Sequence, residues 1–281
     1  MDLPLLFEDF WGWNPATTGV VGFLALWILE TGLPFAEGRA ERIRHAGRNL
    51  TLTFLNAAML ALVFSGLTFW VAEWAHTQGL GLLNRLAVPA GSWWMKFLAA
   101  LLLLDALMYL WHRAVHRIPV LWRFHRVHHS DPALDVTTSV RFHFGEIAVS
   151  AVLRLALIPI FGFSFAHLVL YDLVQLPIIQ MHHSNLRLPP ALDRLLRVVI
   201  VTPNMHRVHH SRVGKELNSN YSSIFSLWDR MGKTFRLRTD PRTPEFGLPG
   251  FDSESKQSVW GLLRTPFLGG HPNPSAKVGG E

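Results

Sequence analysis

The stretch His112–Ser130, HRAVHRIPVLWRFHRVHHS, directly follows the apolar run FLAALLLLDALMYLW of Phe97–Trp111. It holds five histidines, in the patterns H-x-x-x-H and H-x-x-H-H. Residues three and four apart lie on one narrow face of a helix, so each pattern directs its imidazoles to one side. The second pattern returns at His206–His210. An apolar helix that ends in clustered imidazoles predicts a metal site near a membrane boundary.

The composition indicates a membrane protein. Apolar residues make up 49% of the 281 residues and charged residues only 16%, against about 25% charged residues in typical soluble domains. The mean hydropathy is +0.22. Eleven tryptophans beside three tyrosines suit the aromatic belt at a membrane interface.

Five apolar runs are candidates for membrane helices. Those at Thr18–Phe35, Leu52–Ala75 and Trp93–Trp111 are predicted to span. Those at Ile147–Phe163 and Ser164–Met181 are separated by a break at PIFGFS, and form either a tight pair of spans or a re-entrant hairpin. The sequence therefore predicts an all-α integral membrane protein with about four to five transmembrane or re-entrant helices.

The arginines of the first polar connection set the predicted orientation. This segment, EGRAERIRHAGRN at residues 37–49, separates the first two spans. Because short basic loops stay in the cytoplasm, the second span leaves the cytoplasm and the third returns to it. We therefore expect a multi-pass protein whose histidine-rich site lies in a helical cap on the cytoplasmic side.

Three parts of the chain are distinguished by composition. Residues 1–17 form an N-terminal segment that does not resemble a cleavable signal peptide, because it lacks Lys and Arg before the apolar run. Residues 18–241 are predicted to be the membrane-bound domain. Residues 242–281 are rich in proline and glycine and are predicted to be a loosely ordered tail.

The charge and the absence of cysteine exclude several classes of function. The net charge is +6, but the basic residues lie beside apolar runs, so anionic lipid headgroups are the expected counter-charge and nucleic acid is not. The chain has no cysteine. Disulfides, iron–sulfur clusters and thiolate sites are therefore excluded, and a metal must be held by nitrogen or oxygen.

The number of histidines indicates two metal ions. Twelve of the fifteen lie between His112 and His210, and the three patterns supply 2 + 3 + 3 = 8 imidazoles. The segment HHSN, at residues 182–185, adds one or two more. One transition metal accepts about four to six ligands, so eight or more imply a dimetal site. Iron, zinc, copper and nickel all accept imidazole.

Isolated histidines are predicted to have other roles. His45, His76 and His271 stand alone in polar segments, and we expect them to contact lipid headgroups. His167 lies in an apolar run and is predicted to be packed or hydrogen-bonded.

Acidic residues near the histidines are candidates for support. Asp105 precedes His112 by seven residues and either accepts an imidazole N–H or makes a helix-packing hydrogen bond. His143, Glu146 and Asp229 are expected to support the site, or to cap and bridge helices, and not to bind metal.

The ordered set of motifs resembles the fatty acid hydroxylase and sterol desaturase superfamily of membrane enzymes. The resemblance covers roughly Leu101–Phe235 and rests on DALMYLWHRAVHR, LWRFHRVHHS, RFHFGE, QMHHSNLRLP, TPNMHRVHHS and NYSSIFSLWDRMGKTF. It implies two non-haem iron ions that activate dioxygen to hydroxylate or desaturate a lipid carbon–hydrogen bond. It also implies a lipid substrate from the bilayer and an external electron donor, namely a separate reductase, ferredoxin or cytochrome.

Matching by motif assigns both metal binding and catalysis to eight histidines: His112, His116, His125, His128, His129, His206, His209 and His210. His182 and His183 are further candidate metal ligands. The third cluster departs here from the two-histidine form of some relatives, so the sequence does not decide between these two. It also does not identify the substrate, separate hydroxylation from desaturation, or give the oligomeric state.

Other classes of function remain open at this point. A zinc-dependent membrane hydrolase could use the same imidazoles. A divalent-metal transporter is a second alternative, although its ligands should lie near the middle of the membrane, whereas these histidines lie at helix ends. A haem protein with two axial histidines does not explain triplets on one face.

Overall fold

Long helices form the membrane part of the protein. The computed structural model describes residues 15–37, 41–86, 89, 92–238 and 244–269. The helices up to the first histidines are α1 (Pro15–Gly32), α2 (Arg42–Met59), a π-helical turn (Leu60–Phe64), α3 (Ser65–Thr77), α4 (Leu82–Arg85) and α5 (Trp93–Arg117). The elements that follow are α6 (Pro119–His129), a 3-10 turn (Val136–Val140), α7 (Phe144–Phe161) and α8 (Phe165–His183).

Short helices complete the chain. They are α9 (Pro190–Leu196), α10 (Pro203–His209), α11 (Gly214–Leu217), α12 (Leu227–Met231), α13 (Glu254–Gln257), α14 (Val259–Arg264) and a 3-10 turn (Thr265–Phe267). The extended pairings among the described residues are isolated bridges, such as Ile200 with Phe225. The all-α prediction is therefore confirmed for this part of the chain.

Three helical stretches are long and apolar enough to cross a membrane: Arg42–Arg85, Trp93–Arg117 and Phe144–Phe161. They include the predicted second, third and fourth apolar runs. The first apolar run forms α1 and the fifth forms α8, but neither is among the three stretches that are long and apolar enough to cross a membrane. The total number of spans and the side on which the histidines lie therefore remain predictions.

A buried glutamate ties α1 to the rest of the protein. The Glu30 carboxylate accepts hydrogen bonds from Arg42 Nη2 at 2.6 Å, Asn185 N at 2.7 Å and Val136 N at 3.1 Å. Glu30 is 1% exposed. A charge in this position is stable only because these donors replace water.

The arginine-rich connection between the first two runs is partly helical. α2 begins at Arg42 because one face of the segment is buried, through Ala46, Asn49, Leu52 and Asn56. His45 on this helix, for which the sequence predicts a headgroup contact, has two buried carboxylates as partners. Its ring lies between Asp131 Oδ1 at 2.7 Å and Asp135 Oδ2 at 3.2 Å.

Part of the segment predicted to be a tail is described by the structure. Residues 244–269 pack against the cap, where Leu262 is fully buried. Arg126 on α6 donates to the carbonyl oxygens of Thr265 and Leu268. A buried guanidinium needs such acceptors, and the end of the chain supplies them. Residues 1–14, His271 and the rest of the tail lie outside the described residues.

The break between the last two apolar runs lies where it was predicted. α7 ends at Phe161, and Gly162 adopts the left-handed conformation with φ 76°. A Cβ at this position would lie 2.6 Å from Leu80 O. His167 is packed, as predicted, and its Nδ1 accepts from Ser164 N at 3.2 Å. Arg154 on α7 pairs with Asp172 on α8 at 3.2 Å.

Arg141 joins three segments of the chain next to the histidines of α6. Its fully buried guanidinium donates to Val127 O at 2.9 Å, Asn49 Oδ1 at 2.9 Å, Ser130 Oγ at 3.0 Å and Gln257 Oε1 at 2.8 Å. These contacts join α2, α6 and α13 across large separations in sequence. Removing the guanidinium would leave several buried acceptors without a donor.

We expect Arg141→Met to lower the free energy of unfolding by about 3–5 kcal/mol, because it breaks a buried charged network from one side. Denaturant unfolding in detergent measures the change. The matched control is Arg44→Met, which removes a guanidinium from a pair with Glu41 whose side chains are 58% and 64% exposed. It should change stability by less than about 0.5 kcal/mol. Equal effects of the two substitutions would contradict the role of Arg141.

Candidate metal centre

Four helix segments bring the histidines together. α5 ends where Ile118 precedes Pro119, because the residue before a proline disfavours helical backbone. Pro119 then begins α6, which turns back against the end of α5. α8 ends at His183, and α10 carries the last cluster. The imidazoles therefore converge from distant parts of the chain.

Five histidines form the first set, called the five-histidine set. One ring nitrogen of each lies within 4.8 Å of a ring nitrogen of every other member. His112 is half-buried and the other four are buried. The members are His112 and His116 of α5, His125 and His129 of α6, and His209 of α10.

Four buried histidines form the second set, called the four-histidine set, within the same distance limit. His183 Nε2 lies 3.1 Å from His128 Nε2 and 2.9 Å from His206 Nε2. His206 Nε2 lies 3.1 Å from His210 Nε2. The two sets adjoin, since the rings of His129 and His210 are 4.5 Å apart between centroids.

Each H-x-x-H-H motif is divided between the two sets. In α6, His125 and His129 belong to the five-histidine set and His128 to the other. In α10 the division is reversed, because His209 joins the five-histidine set while the other two join the four-histidine set. The prediction that each motif aims in one direction is thus too simple. Adjacent helix positions differ by about 100°, which is enough to serve two neighbouring centres.

The structure separates His182 from His183. His183 belongs to the four-histidine set and His182 belongs to neither. The His182 ring nevertheless lies close by, with its centroid 4.1 Å from that of His206. The structure therefore brings together nine of the ten histidines predicted as metal ligands and leaves His182 beside them.

Hydrogen bonds at Nδ1 fix the tautomers of several rings. His112 Nδ1 donates to Tyr221 O at 2.8 Å, and His209 Nδ1 donates to Ser219 O at 2.7 Å. His183 Nδ1 donates to Ile179 O at 2.8 Å. A carbonyl oxygen only accepts, so the proton of each neutral ring lies on Nδ1 and the Nε2 lone pair points into the cluster.

Buried nitrogens that lack partners show that the cluster suits a cation. His112 Nε2, His125 Nε2, His209 Nε2 and both ring nitrogens of His129 are buried without a hydrogen-bond partner among the described residues. Each such nitrogen costs about 1–3 kcal/mol. In the four-histidine set three pairs of Nε2 atoms are 2.9–3.1 Å apart. Two imidazoles bound to one metal at about 2.0–2.1 Å have nitrogens roughly 3 Å apart when they are at right angles.

Burial also keeps these imidazoles uncharged. Removal from water, followed by the neighbouring imidazoles, lowers the pKa of His128, His129 and His209 well below the usual histidine value. The pKa of His206 and that of His210 are lowered for the same reasons. Neutral rings at pH 7 have the lone pairs that metal binding requires.

The polar residues predicted to support the site take different roles. Glu146 Oε1 accepts from His125 Nδ1 at 2.8 Å, so its supporting role is confirmed. His143 caps α7 by accepting from Gly145 N at 2.9 Å. Asp229 accepts from Tyr221 N at 2.8 Å and thereby holds the loop whose carbonyl orients His112.

Asp105 does not contact His112. Its carboxylate accepts from Ile224 N at 3.0 Å, Phe225 N at 2.9 Å and Trp228 Nε1 at 2.7 Å. Asp105 was predicted either to accept an imidazole N–H or to make a packing hydrogen bond, and the packing hydrogen bond is the one observed. The partners that orient His112 and His209 are backbone carbonyls, for which the sequence gives no signal.

Comparisons with known proteins agree with this geometry. The model of the fatty acid hydroxylase family matches residues 97–234. The chain is 28% identical over 260 residues to alkylglycerol monooxygenase of Caenorhabditis elegans, over 85% of this chain and 48% of that protein. It is 32% identical over 145 residues to ornithine lipid hydroxylase OlsE of Rhizobium tropici, over 51% and 42% of the two chains.

Lathosterol oxidase of Mus musculus is 31% identical over 137 residues, which cover 47% of this chain and 42% of that protein. The chain thus spans about half the length, or less, of the curated relatives named here. No solved structure matches it.

Glu146→Ala is expected to lower metal affinity about 10–100-fold, because it removes the carboxylate that orients His125. Titration of metal-stripped protein with Fe²⁺, followed by metal analysis, measures the effect. Ser150→Ala, one turn further along α7, is the matched control and should leave the affinity unchanged. Equal affinities of the Glu146 variant and the unmodified protein would contradict the assigned role.

Metal-free protein should lose stability as the pH falls below about 6.5, the ordinary pKa of histidine. The folded state keeps its buried imidazoles neutral, whereas the unfolded chain takes up protons in this range, so acid favours unfolding. Thermal unfolding of chelator-treated protein at several pH values measures the trend. The variant His128→Gln/His210→Gln removes two of these groups and should show a weaker dependence; an unchanged dependence would contradict the explanation.

Proposed function

The chain belongs to the fatty acid hydroxylase and sterol desaturase superfamily, and on this premise we propose that it is a membrane-bound, dioxygen-dependent oxidoreductase acting on a lipid. It hydroxylates or desaturates a carbon–hydrogen bond of a sterol, fatty acyl chain or related lipid. The observation that carries the proposal is the pair of adjoining buried histidine sets at the end of a helix long enough to span a membrane.

Two iron ions are the proposed cofactors, one in each histidine set. The five-histidine set would hold the first iron and the four-histidine set the second, which makes His183 the ligand of its pair and leaves His182 beside the site. When bound, the iron ions supply the activation of dioxygen that an inert aliphatic carbon–hydrogen bond requires. An external reductase, ferredoxin or cytochrome is the proposed source of electrons.

The protein's own contribution is to orient the rings and exclude water. The Tyr221, Ser219 and Ile179 carbonyls hold three imidazoles in one tautomer, and Glu146 holds a fourth. All members except His112 are buried, so little water reaches the nitrogens. A rigid, dry site of this kind limits side reactions of a reactive oxidant.

An apolar cavity is the proposed place for the reacting part of the lipid. It has a volume of about 120 Å³ and lies among α5, α7 and α8. Trp111, which immediately precedes His112, lines it together with Leu104, Leu107, Met108, Leu153 and Leu157. Two polar residues of its wall have partners within the protein. Arg154 pairs with Asp172 at 3.2 Å, and Gln175 Nε2 donates to Tyr171 Oη and Ser223 Oγ, each at 2.9 Å. Hydrocarbon is therefore the matching ligand.

The cytoplasmic side is the proposed location of the site. The arginine-rich start of α2 packs against the segment that follows α6, as the contact of His45 with Asp131 shows. The basic segment and the histidines therefore lie at the same end of the spanning helices. Basic connections of this kind stay in the cytoplasm.

The named relatives are a monooxygenase, a hydroxylase and an oxidase. They give no support to a zinc hydrolase or a metal transporter.

His128→Ala and His209→Ala should each abolish lipid oxidation, because each removes a ligand from a different set. Bound iron should fall while the protein still inserts into membranes. Mass spectrometry of lipids from expressing cells and metal analysis of the purified protein are the two measurements. His76→Ala, an exposed histidine outside both sets, is the control and should retain both activity and iron. Full turnover in both ligand variants would remove the assignment.

Leu157→Trp should abolish turnover without reducing bound iron, because the larger side chain fills the cavity. The matched control is Val152→Trp on the same helix, where the side chain is 58% exposed. The same lipid and metal measurements separate the two variants. Unchanged turnover in Leu157→Trp would show that the lipid reacts elsewhere.

A further inference from the structure

Two neighbouring segments, Leu195–Val199 and Leu227–Met231, expose large apolar side chains. Leu195 is 69% exposed, Val198 63% and Val199 57%, at the end of α9 and just beyond it. On α12, Leu227 is 45% exposed and Met231 67%. We call these five residues the interfacial surface. A cap that met only water would not expose so many large apolar residues together.

Hydrogen bonds hold the end of α9 and the start of α12 together. Ser226 N donates to Val199 O at 3.0 Å, and Ser226 Oγ donates to Arg197 O at 2.8 Å. Arg230 Nη2 also donates to Arg197 O, at 3.0 Å. The apolar side chains of α9 and α12 are therefore held in a fixed relation to each other.

The exposed charges within the two segments of the interfacial surface are all positive. Within residues 190–200 and 226–233, the exposed charged side chains are Arg194, Arg230 and Lys233. Both acids of these segments are buried: Asp193 pairs with Arg197 at 2.5 Å, and Asp229 accepts from backbone N–H groups. The rim is therefore complementary to anionic groups.

The surface lies on the bilayer side of the histidines. Its supporting loop is fixed to Asp105 of α5, which accepts from Ile224 N, Phe225 N and Trp228 Nε1. Asp105 precedes His112 by seven residues on this candidate span, which is about 10 Å along the helix axis. The loop that leads to Leu227 and Met231 is thus level with the candidate span, on the bilayer side of His112.

We propose that the interfacial surface lies in the headgroup layer of an anionic leaflet, as a membrane contact additional to the spanning helices. Leu195, Val198, Val199, Leu227 and Met231 enter the boundary of the hydrocarbon, while the basic rim meets lipid phosphates. The inference rests on the proposed membrane placement and not on the metal chemistry. The occupant is the bilayer, because the surface combines apolar and basic groups at the level where headgroups begin.

The absence of cysteine allows a direct test. Leu195→Cys and Met231→Cys are each labelled with an environment-sensitive fluorophore in full-length protein in nanodiscs of phosphatidylserine and phosphatidylcholine. We expect brominated lipid to quench both labels and aqueous iodide to leave them largely unaffected. Lys215→Cys, an exposed position on α11, is the control and should show the reverse. Quenching of Leu195→Cys and Met231→Cys by iodide but not by lipid would overturn the proposal, as would protection from both quenchers, which indicates a second copy or another protein on this face.

The role of the basic rim is tested separately. Arg194→Glu in the Leu195→Cys background should reduce lipid quenching in anionic nanodiscs, because the new carboxylate repels the phosphates. In nanodiscs of phosphatidylcholine alone the reduction should be smaller. Lys215→Glu in the same background is the charge-matched control and should have no effect. Equal reductions by the two charge changes would overturn the role of the rim.

Iron content and lipid turnover of the same preparations distinguish the two proposals. Water-exposed labels in protein with full iron and turnover would remove only the interfacial surface. Lipid-embedded labels in protein that binds no iron would remove only the proposed function.

Discussion

The protein depends on the convergence of nine imidazoles, eight of them buried, whose ring nitrogens lie within 4.8 Å of one another in each set. Imidazoles removed from water become costly when their nitrogens lack partners, and here several have none among the described residues. Burying them side by side is energetically favourable only if a cation takes the place of the missing hydrogen-bond donors. The division of each H-x-x-H-H motif between two sets then produces two adjoining sites from only four helix segments.

A framework of buried polar groups supports these sites. Glu30 fixes α1 to the segments around the histidines, Arg141 joins α2 to α6 and α13, and Asp105 holds the loop that leads to α12. Each compensates its own burial with several hydrogen bonds. Asp229 adds to this framework by accepting from Tyr221 N, which holds the loop whose carbonyl accepts from His112.

The structure also shows which side chains of the polar segments after α8 are exposed. α12 and the end of α9 expose apolar side chains beside a spanning helix, although the sequence around them is polar and basic. The buried positions of Asp193 and Asp229 leave a positive rim. Charge and hydropathy averaged over the segment conceal this arrangement, because averaging ignores which side chains point inward.

The sequence by itself determined the all-α class, the principal apolar helices and all nine histidines of the two sets, because helical periodicity and ligand type are local properties. Sequence patterns also identified Glu146 as a supporting residue. Only the tertiary structure decided how each motif is divided, that His183 and not His182 joins the set, that His45 lies between two carboxylates and that Asp105 holds a loop. These outcomes depend on which distant segment packs against which face, and a local pattern carries no information about a partner that lies a hundred residues away.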